Sequence, residues 1–370
     1  MDQPVGQQGS QSVTVKPPSS PTVNDALMTE ALFARDPDSV LRPFRSAKLQ
    51  VAVRHPGQGR GVFVEDDVHE GELLLVDMPL AVSAPMRSEE DANEHLAEQL
   101  CGLAQRSPFM CRVICCLTDG ESAPAWVTAA CFDNDDAPAL DYPDTRVMDK
   151  ECALRIVQHN AFSGQSRTQL TVTVIYGFTS MHNHACAPSA VCYTVGTAKV
   201  VRACRALRKG DEVTIMYFST LGKSLDKRLD VTKLVWGFVC SCAWCRDDDA
   251  LLRQAVGAPA LMTRLHELLA HPADDGVDRV HAALQRILFT HSPGSLQHCH
   301  VACTYFLAAR RASGDHGAPP LVDRVLRIRY GLSADFLHNN RERVAEHVAG
   351  CHRPLHATDQ TWAEWCNKLV

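Results

Sequence analysis

The chain has 370 residues, 45% of them hydrophobic, and a formal net charge of −6. That is length for about two domains of ordinary size and apolar material for a sizeable core. The negative balance, with no basic face in any segment, argues against direct nucleic-acid binding. No run approaches the roughly 18 consecutive apolar residues of a membrane span, and residues 1–21 have neither the basic flank nor the apolar core of a secretory signal. An intracellular address, nuclear or cytoplasmic, is therefore expected, with no membrane association. Sixteen cysteines in such a chain read as reduced thiols, some of them metal-bound, rather than as disulfides.

Residues 1–40 are rich in Gln, Ser, Pro and Thr and show little hydrophobic periodicity before 26–33, which predicts a disordered arm. From 41 to 84 the pattern changes to short β-like runs at 49–53, 61–64 and 73–76, separated by Gly and charged turn residues. Residues 85–150 read as a helical insert, with helical periodicity at 89–103, a cysteine-bearing segment at 110–117 and an acidic loop at 133–136. Its Cys101, Cys111, Cys115, Cys116 and Cys131 lack paired Cys-x2-Cys spacing, so buried thiols are expected there rather than zinc fingers. Strand patterns return between 151 and 222, at 170–176, 190–195, 199–203 and 212–217, with the turn Lys209-Gly210-Asp211 before the last. Beyond 249 the pattern is helical to residue 370: Leu261, Met262, Leu265, Leu268 and Leu269 form one apolar stripe, and Val280, Leu284, Ile287 and Leu288 another.

The densest chemistry lies between Asn183 and Cys245. Cys240, Cys242 and Cys245 stand in a C-x-C-x2-C array, suited to a tetrahedral zinc site that lacks one ligand. Cys186, in Asn183-His184-Ala185-Cys186, is the natural fourth. One Zn2+ would then tie the 183–186 loop to the segment 223–248.

Several ordered segments resemble the SET-domain protein lysine methyltransferases, within them the branch of SET and MYND proteins. Gly59-Arg60-Gly61-Val62-Phe63, followed by Gly71-Glu72-Leu73 and Met78-Pro79, resembles the family's opening motif. His159-Asn160-Ala161-Phe162 resembles its Asn-containing helix segment, and Ser180-Met181-His182-Asn183-His184-Ala185-Cys186-Ala187-Pro188 its signature loop. Val201-Arg202-Ala203 through Tyr217 resembles the strand pair ending in the catalytic tyrosine, and Trp236-Gly237-Phe238-Val239-Cys240-Ser241-Cys242 through Cys245 the post-SET zinc segment. Singly these signals are ordinary: a Gly-rich turn, a core histidine, a strand-end tyrosine. Their ordered combination over 49–246 is specific.

The resemblance implies an α+β SET fold, a β-clip of small twisted sheets with a knot-like threading of the Asn183 loop. Residues 41–84 and 151–222 would be the two parts of the SET domain, 223–248 the post-SET zinc segment and 249–370 a helical tail packed against the core. It also implies S-adenosyl-L-methionine as cofactor and a lysine side chain of a protein substrate, histone or not, as methyl acceptor, and the chain itself is expected to be a monomer. Gly59, Arg60, Gly61, Asn160 and Asn183 would hold the methionine and ribose part of the cofactor. Ser180 and His184 would border the pocket, Phe238 would pack on adenine, and Tyr217 would position the amine. Two departures stand out: Ala185 replaces a Ser, and Ser189 an Asn, and both are expected to loosen the hydrogen bonding of the loop. They favour a rival reading, a weakly active or inactive SET-fold scaffold that binds partners through its helical tail.

Overall fold

Short strands, none longer than six residues among those described, build three small antiparallel sheets. The computed structural model describes residues 23–246, apart from 54–58, 121–126, 134–147, 166–170, 221–224 and residues 35, 187 and 219, together with 327–328, 331–332 and 339–340. Strands β1 (Phe44–Arg45), β4 (Leu73–Asp77), β9 (Ala198–Ala203) and β8 (Ala190–Val195) form one sheet in the order β1-β4-β9-β8. β2 (Leu49–Ala52) pairs with β3 (Gly61–Val64), and β5 (Pro79–Val82), β7 (Thr171–Tyr176) and β6 (Phe162–Gln165) form the third sheet in the order β5-β7-β6. Every residue of β3 is buried, as are Leu73, Leu74, Leu75 and Val76 of β4, which is why these strands read as continuous apolar runs rather than alternating ones.

The helical insert packs beside the third sheet. Helix α3 (Glu89–Arg106) starts where the Ser88 hydroxyl accepts the Asp91 N–H at 3.0 Å, and three acidic residues in its first turn suit the helix dipole. Its buried face, Ala92, Leu96, Ala97 and Leu100, lies against helix α5 (Lys150–Asn160), which Asp149 caps through the Cys152 N–H at 2.8 Å. Helix α4 (Pro108–Cys115), which packs on α3, ends in three buried apolar residues. Cys115, Cys116 and Cys131 are buried thiols, and Cys101 and Cys111 are half-buried.

The expectation of disorder over 1–40 fails for its second half. Helices α1 (Val23–Phe33) and α2 (Pro37–Val40) form there, and Met28, Ala31 and Leu32 are buried. What holds them is tertiary and invisible to local composition. Asp25 pairs with Arg202 of β9 at 2.8 Å, where Arg202 is 2% exposed, and Asp38 accepts the Thr197 N–H at 2.8 Å in the β8–β9 turn. The arm N-terminal to Val23 lies outside the described residues. So does almost all of the expected helical tail. Where the C-terminal part is described, Ile328 and Leu332 are buried, and the Arg327 carbonyl lies 3.3 Å from where a side chain on Gly71 would begin.

The 212–217 segment, expected as a strand, is not one. Its partner changes from one residue to the next over 213–215. The Val213 N–H bonds the Val62 carbonyl of β3 at 2.7 Å, the Ala190 N–H bonds the Thr214 carbonyl at 3.0 Å, and Ile215 exchanges bonds with the 183–185 loop. Isolated bridges at Glu212 and Ile215 replace a ladder, and this crossing sets up the site.

Candidate functional site

The loop 183–186 lies parallel to Ile215. The Ile215 N–H donates to the Asn183 carbonyl at 2.9 Å, and the Ala185 N–H to the Ile215 carbonyl at 3.0 Å. Asn183 is thereby delivered to the start of β3, where its Nδ2 donates to the Arg60 carbonyl at 2.9 Å and to Glu212 Oε1 at 2.7 Å. Gly61 lies under this pair: a Cβ there would sit 2.9 Å from Asn183 Nδ2 and closer still to Glu212. A side chain at Gly61 would therefore have to displace one of these two polar groups. Gly59 has a different constraint, a left-handed φ of 72° that favours glycine.

Tyr217 follows directly. Its hydroxyl donates to the His182 carbonyl at 2.7 Å, and its N–H donates to His184 Nδ1 at 3.1 Å. Burial pushes the Tyr217 hydroxyl well above its ordinary range, with the Glu212 carboxylate adding to the effect and Arg60 opposing it. The group is thus a protonated phenol at neutral pH. With its hydrogen committed to a carbonyl, it offers lone pairs to whatever approaches.

Aromatic rings enclose the same point. His184 stacks on Phe218 at 5.1 Å between centroids, and Phe218 stacks on Trp236 at 5.5 Å. Tyr217 packs tilted against both His184 and Trp236, and Phe238 lies 6.1 Å from His184. Helix α6 (Leu225–Trp236) brings Trp236 in. Gly237, at φ 74°, then reverses the chain so that Phe238 follows and Cys240 turns under the rings.

Cys186, Cys240, Cys242 and Cys245 converge there, with all four Sγ atoms within 4.8 Å of one another. Cys186 lies 3.9 Å from Cys240 and 3.5 Å from Cys245. A tetrahedron of Zn–S bonds of about 2.3 Å needs sulfurs about 3.8 Å apart, so the four thiols fit zinc. Hydrogen bonds within the cluster pull the Cys240 thiol down and push Cys186 up, the unequal proton sharing of thiols that a cation would settle as thiolates. Among the described residues this is the one group of potential metal ligands.

Residues 59–218 match the SET domain family. SET domain-containing protein SmydA-8, isoform A, of Drosophila melanogaster is 32% identical over 127 residues, which cover 32% of this chain. The stretch spans about a quarter of that protein, 26% of its length. Residues 59–218 are a SET domain. It is related to the SET and MYND branch, and the family is one of methyltransferases.

The SET domain brings Gly59, Arg60, Gly61, Asn183, His184 and Tyr217 together around the 183–186 loop, and Phe238, beyond the matched residues, lies against His184. Asn160 and Ser180 form a second pair. Asn160, buried at the end of α5, gives both Nδ2 hydrogens to the Thr118 and Ile156 carbonyls, each at 2.7 Å, which leaves its Oδ1 as the remaining polar atom. Ser180 donates to the Tyr176 carbonyl at 2.8 Å and lies 3.3 Å from the Asn160 carbonyl. Ser189 corrects an expectation. It does not loosen the loop: its hydroxyl donates to the Glu212 carbonyl at 2.8 Å and accepts the Thr214 N–H at 2.9 Å, while its own N–H reaches Thr214 Oγ1 at 3.0 Å. Sequence reasoning passed over Glu212, Phe218 and Trp236 as site residues. The adjacency of Phe218 to Tyr217 and of Trp236 to Phe238 was the available signal; for Glu212 there was none, since its role depends on the crossing.

Proposed function

We propose that the chain is an S-adenosylmethionine-dependent protein-lysine N-methyltransferase, and the observation that carries this is the Tyr217 hydroxyl bonded to the His182 carbonyl between Asn183 and the aromatic rings. When bound, S-adenosylmethionine supplies an electrophilic methyl group. The residues around Gly59, Gly61 and Asn183 fit its polar end: glycine backbone at close approach, and an amide whose Oδ1 remains available once both Nδ2 hydrogens are used. Phe238 and the stacked Phe218 and Trp236 suit a flat heterocycle and exclude water. Tyr217 accepts a hydrogen bond from the incoming amine and aims its lone pair, a positioning role that a buried phenol performs without ionising. Four thiolates hold structural Zn2+ behind this wall.

The substrate is read as a lysine-bearing protein, histone or non-histone, met in the nucleus or cytoplasm by a monomer. The scaffold alternative loses support from Ser189, whose bonds keep the loop tied. Incubating the purified full chain with methyl-labelled S-adenosylmethionine and a cell extract, then locating the label by mass spectrometry, tests the proposal. Label on lysine supports it; a chain that binds no cofactor and labels nothing returns the reading to the scaffold.

A further inference from the structure

We infer that Asp77 is a positioning residue for the Tyr217 hydroxyl, acting through Thr179 and His182. This rests on the reading of Tyr217 given above. Asp77 closes β4, and its Oδ2 accepts two hydrogen bonds from a residue 102 positions away, the Thr179 N–H at 2.7 Å and the Thr179 hydroxyl at 2.8 Å. Thr179 opens the single 3-10 turn Thr179–Met181 that leads into the signature loop. Its carbonyl then receives both polar hydrogens of His182: the backbone N–H at 3.2 Å and ring Nδ1 at 3.0 Å. Fastening N–H and ring to one acceptor fixes the backbone and the side-chain rotation of His182 together. The next peptide plane is fixed with them, and its carbonyl accepts the Tyr217 hydroxyl at 2.7 Å.

The series is buried at its middle and half-buried at its two ends, Asp77 and Tyr217. Thr179 is fully buried and His182 is 1% exposed. Since a carbonyl can only accept, Nδ1 carries the hydrogen, and the imidazole is held as one tautomer whose Nε2 has no partner. Burial keeps that ring neutral by pulling its pKa down to about 4. A neutral, single-tautomer imidazole is a fixed strut. The anchor is also braced: the Arg45 guanidinium lies 5.0 Å over the Phe178 ring and favours the Asp77 carboxylate, while Arg45 bonds the Ala129 carbonyl at 2.8 Å. A displacement at Asp77 therefore reaches the Tyr217 hydroxyl through three short links.

The test uses the full chain labelled with 13C at tyrosine Cζ and 15N in histidine. Asp77→Ala removes the acceptor and should shift the Tyr217 Cζ resonance and mix the His182 tautomers, while Asp77→Asn, which keeps an oxygen acceptor, should restore both. Thr179→Val against Thr179→Ser repeats the comparison one link further on, should Asp77→Ala not fold. On a substrate from the extract screen, Asp77→Ala should lower single-turnover methylation about 10- to 100-fold with S-adenosylhomocysteine affinity nearly unchanged. In a Tyr217→Phe background it should cost little more, because both changes remove the same hydroxyl geometry. Resonances and rate unmoved by a folded Asp77→Ala overturn the inference, as does an undiminished loss in the Tyr217→Phe background. If Tyr217→Phe itself methylates as fast as wild type, the role of Tyr217 falls, and the resonance shifts alone then decide the relay.

Discussion

His184 joins Cys186 to Tyr217. Because the Tyr217 N–H donates to Nδ1 at 3.1 Å, the neutral ring carries its hydrogen on Nε2, which faces Cys186 Sγ at 3.4 Å. One imidazole thus bonds a cysteine of the four-thiol cluster and orients the tyrosine, so a metal held there would be coupled to Tyr217 through a single ring. Stripping the metal should release His184, Phe218 and Phe238 together and weaken S-adenosylhomocysteine binding. Elemental analysis should find one zinc per chain, with much less in Cys242→Ser. Calorimetric titration before and after chelation checks the coupling; equal affinity in demonstrably zinc-free protein rules it out.

Tyr217→Phe and Asn183→Ala should fail differently. The phenylalanine keeps the ring among His184 and Trp236, so stability should change little while single-turnover methylation drops roughly 10²-fold or more. Asn183→Ala should act on cofactor affinity, since it removes the amide that ties the loop to Arg60 and Glu212. Measuring affinity and rate for both variants separates the two effects. Equal losses of affinity would contradict the division of roles.

Gly61→Ala tests the close approach at β3. A Cβ there must displace the Asn183 amide or the Glu212 carboxylate, both of which are half-buried, so the variant should weaken S-adenosylhomocysteine binding and lower the thermal midpoint. Gly59→Ala should also be strained by its positive φ, but a Cβ there meets nothing within 4 Å. Its effect on binding should therefore be the smaller. Calorimetry on both variants decides; a Gly61→Ala chain that binds as wild type would place the cofactor elsewhere.

Most strands were legible because they are short apolar runs between glycine and charged turns: the expected 61–64 and 190–195 are β3 and β8. The cysteine cluster was legible from spacing, since three thiols within six residues constrain one another before any folding. Contacts between distant segments were not. Helix α1 depends on a buried Arg202 more than 170 positions away, the two-residue β1 exists only through its pairing with β4, and the 212–217 segment alternates like a strand while its hydrogen bonds go to three different partners. Local pattern records which side chains want burial, and it is silent on where a crossing chain finds its backbone partners.

Two desolvated titratable groups beside the signature loop pull stability in opposite directions with pH. Burial pushes Asp77 from 3.8 up to about 6, against the pull of its Thr179 hydrogen bonds, and burial brings His182 from 6.5 down to about 4. The raised Asp77 contributes stability that is fully present below 3.8 and lost as pH rises through about 6. The depressed His182 contributes stability present above 6.5 and lost as pH falls through about 4. Between pH 4 and 6 the slopes have opposite sign and largely offset one another. Asp77→Asn leaves the histidine contribution alone, so this variant should lose stability on acidification more steeply than wild type. His182→Gln leaves the aspartate alone and should gain stability over the same interval. Urea midpoints measured across that pH range for the three chains check both signs; parallel curves would show that neither group titrates there.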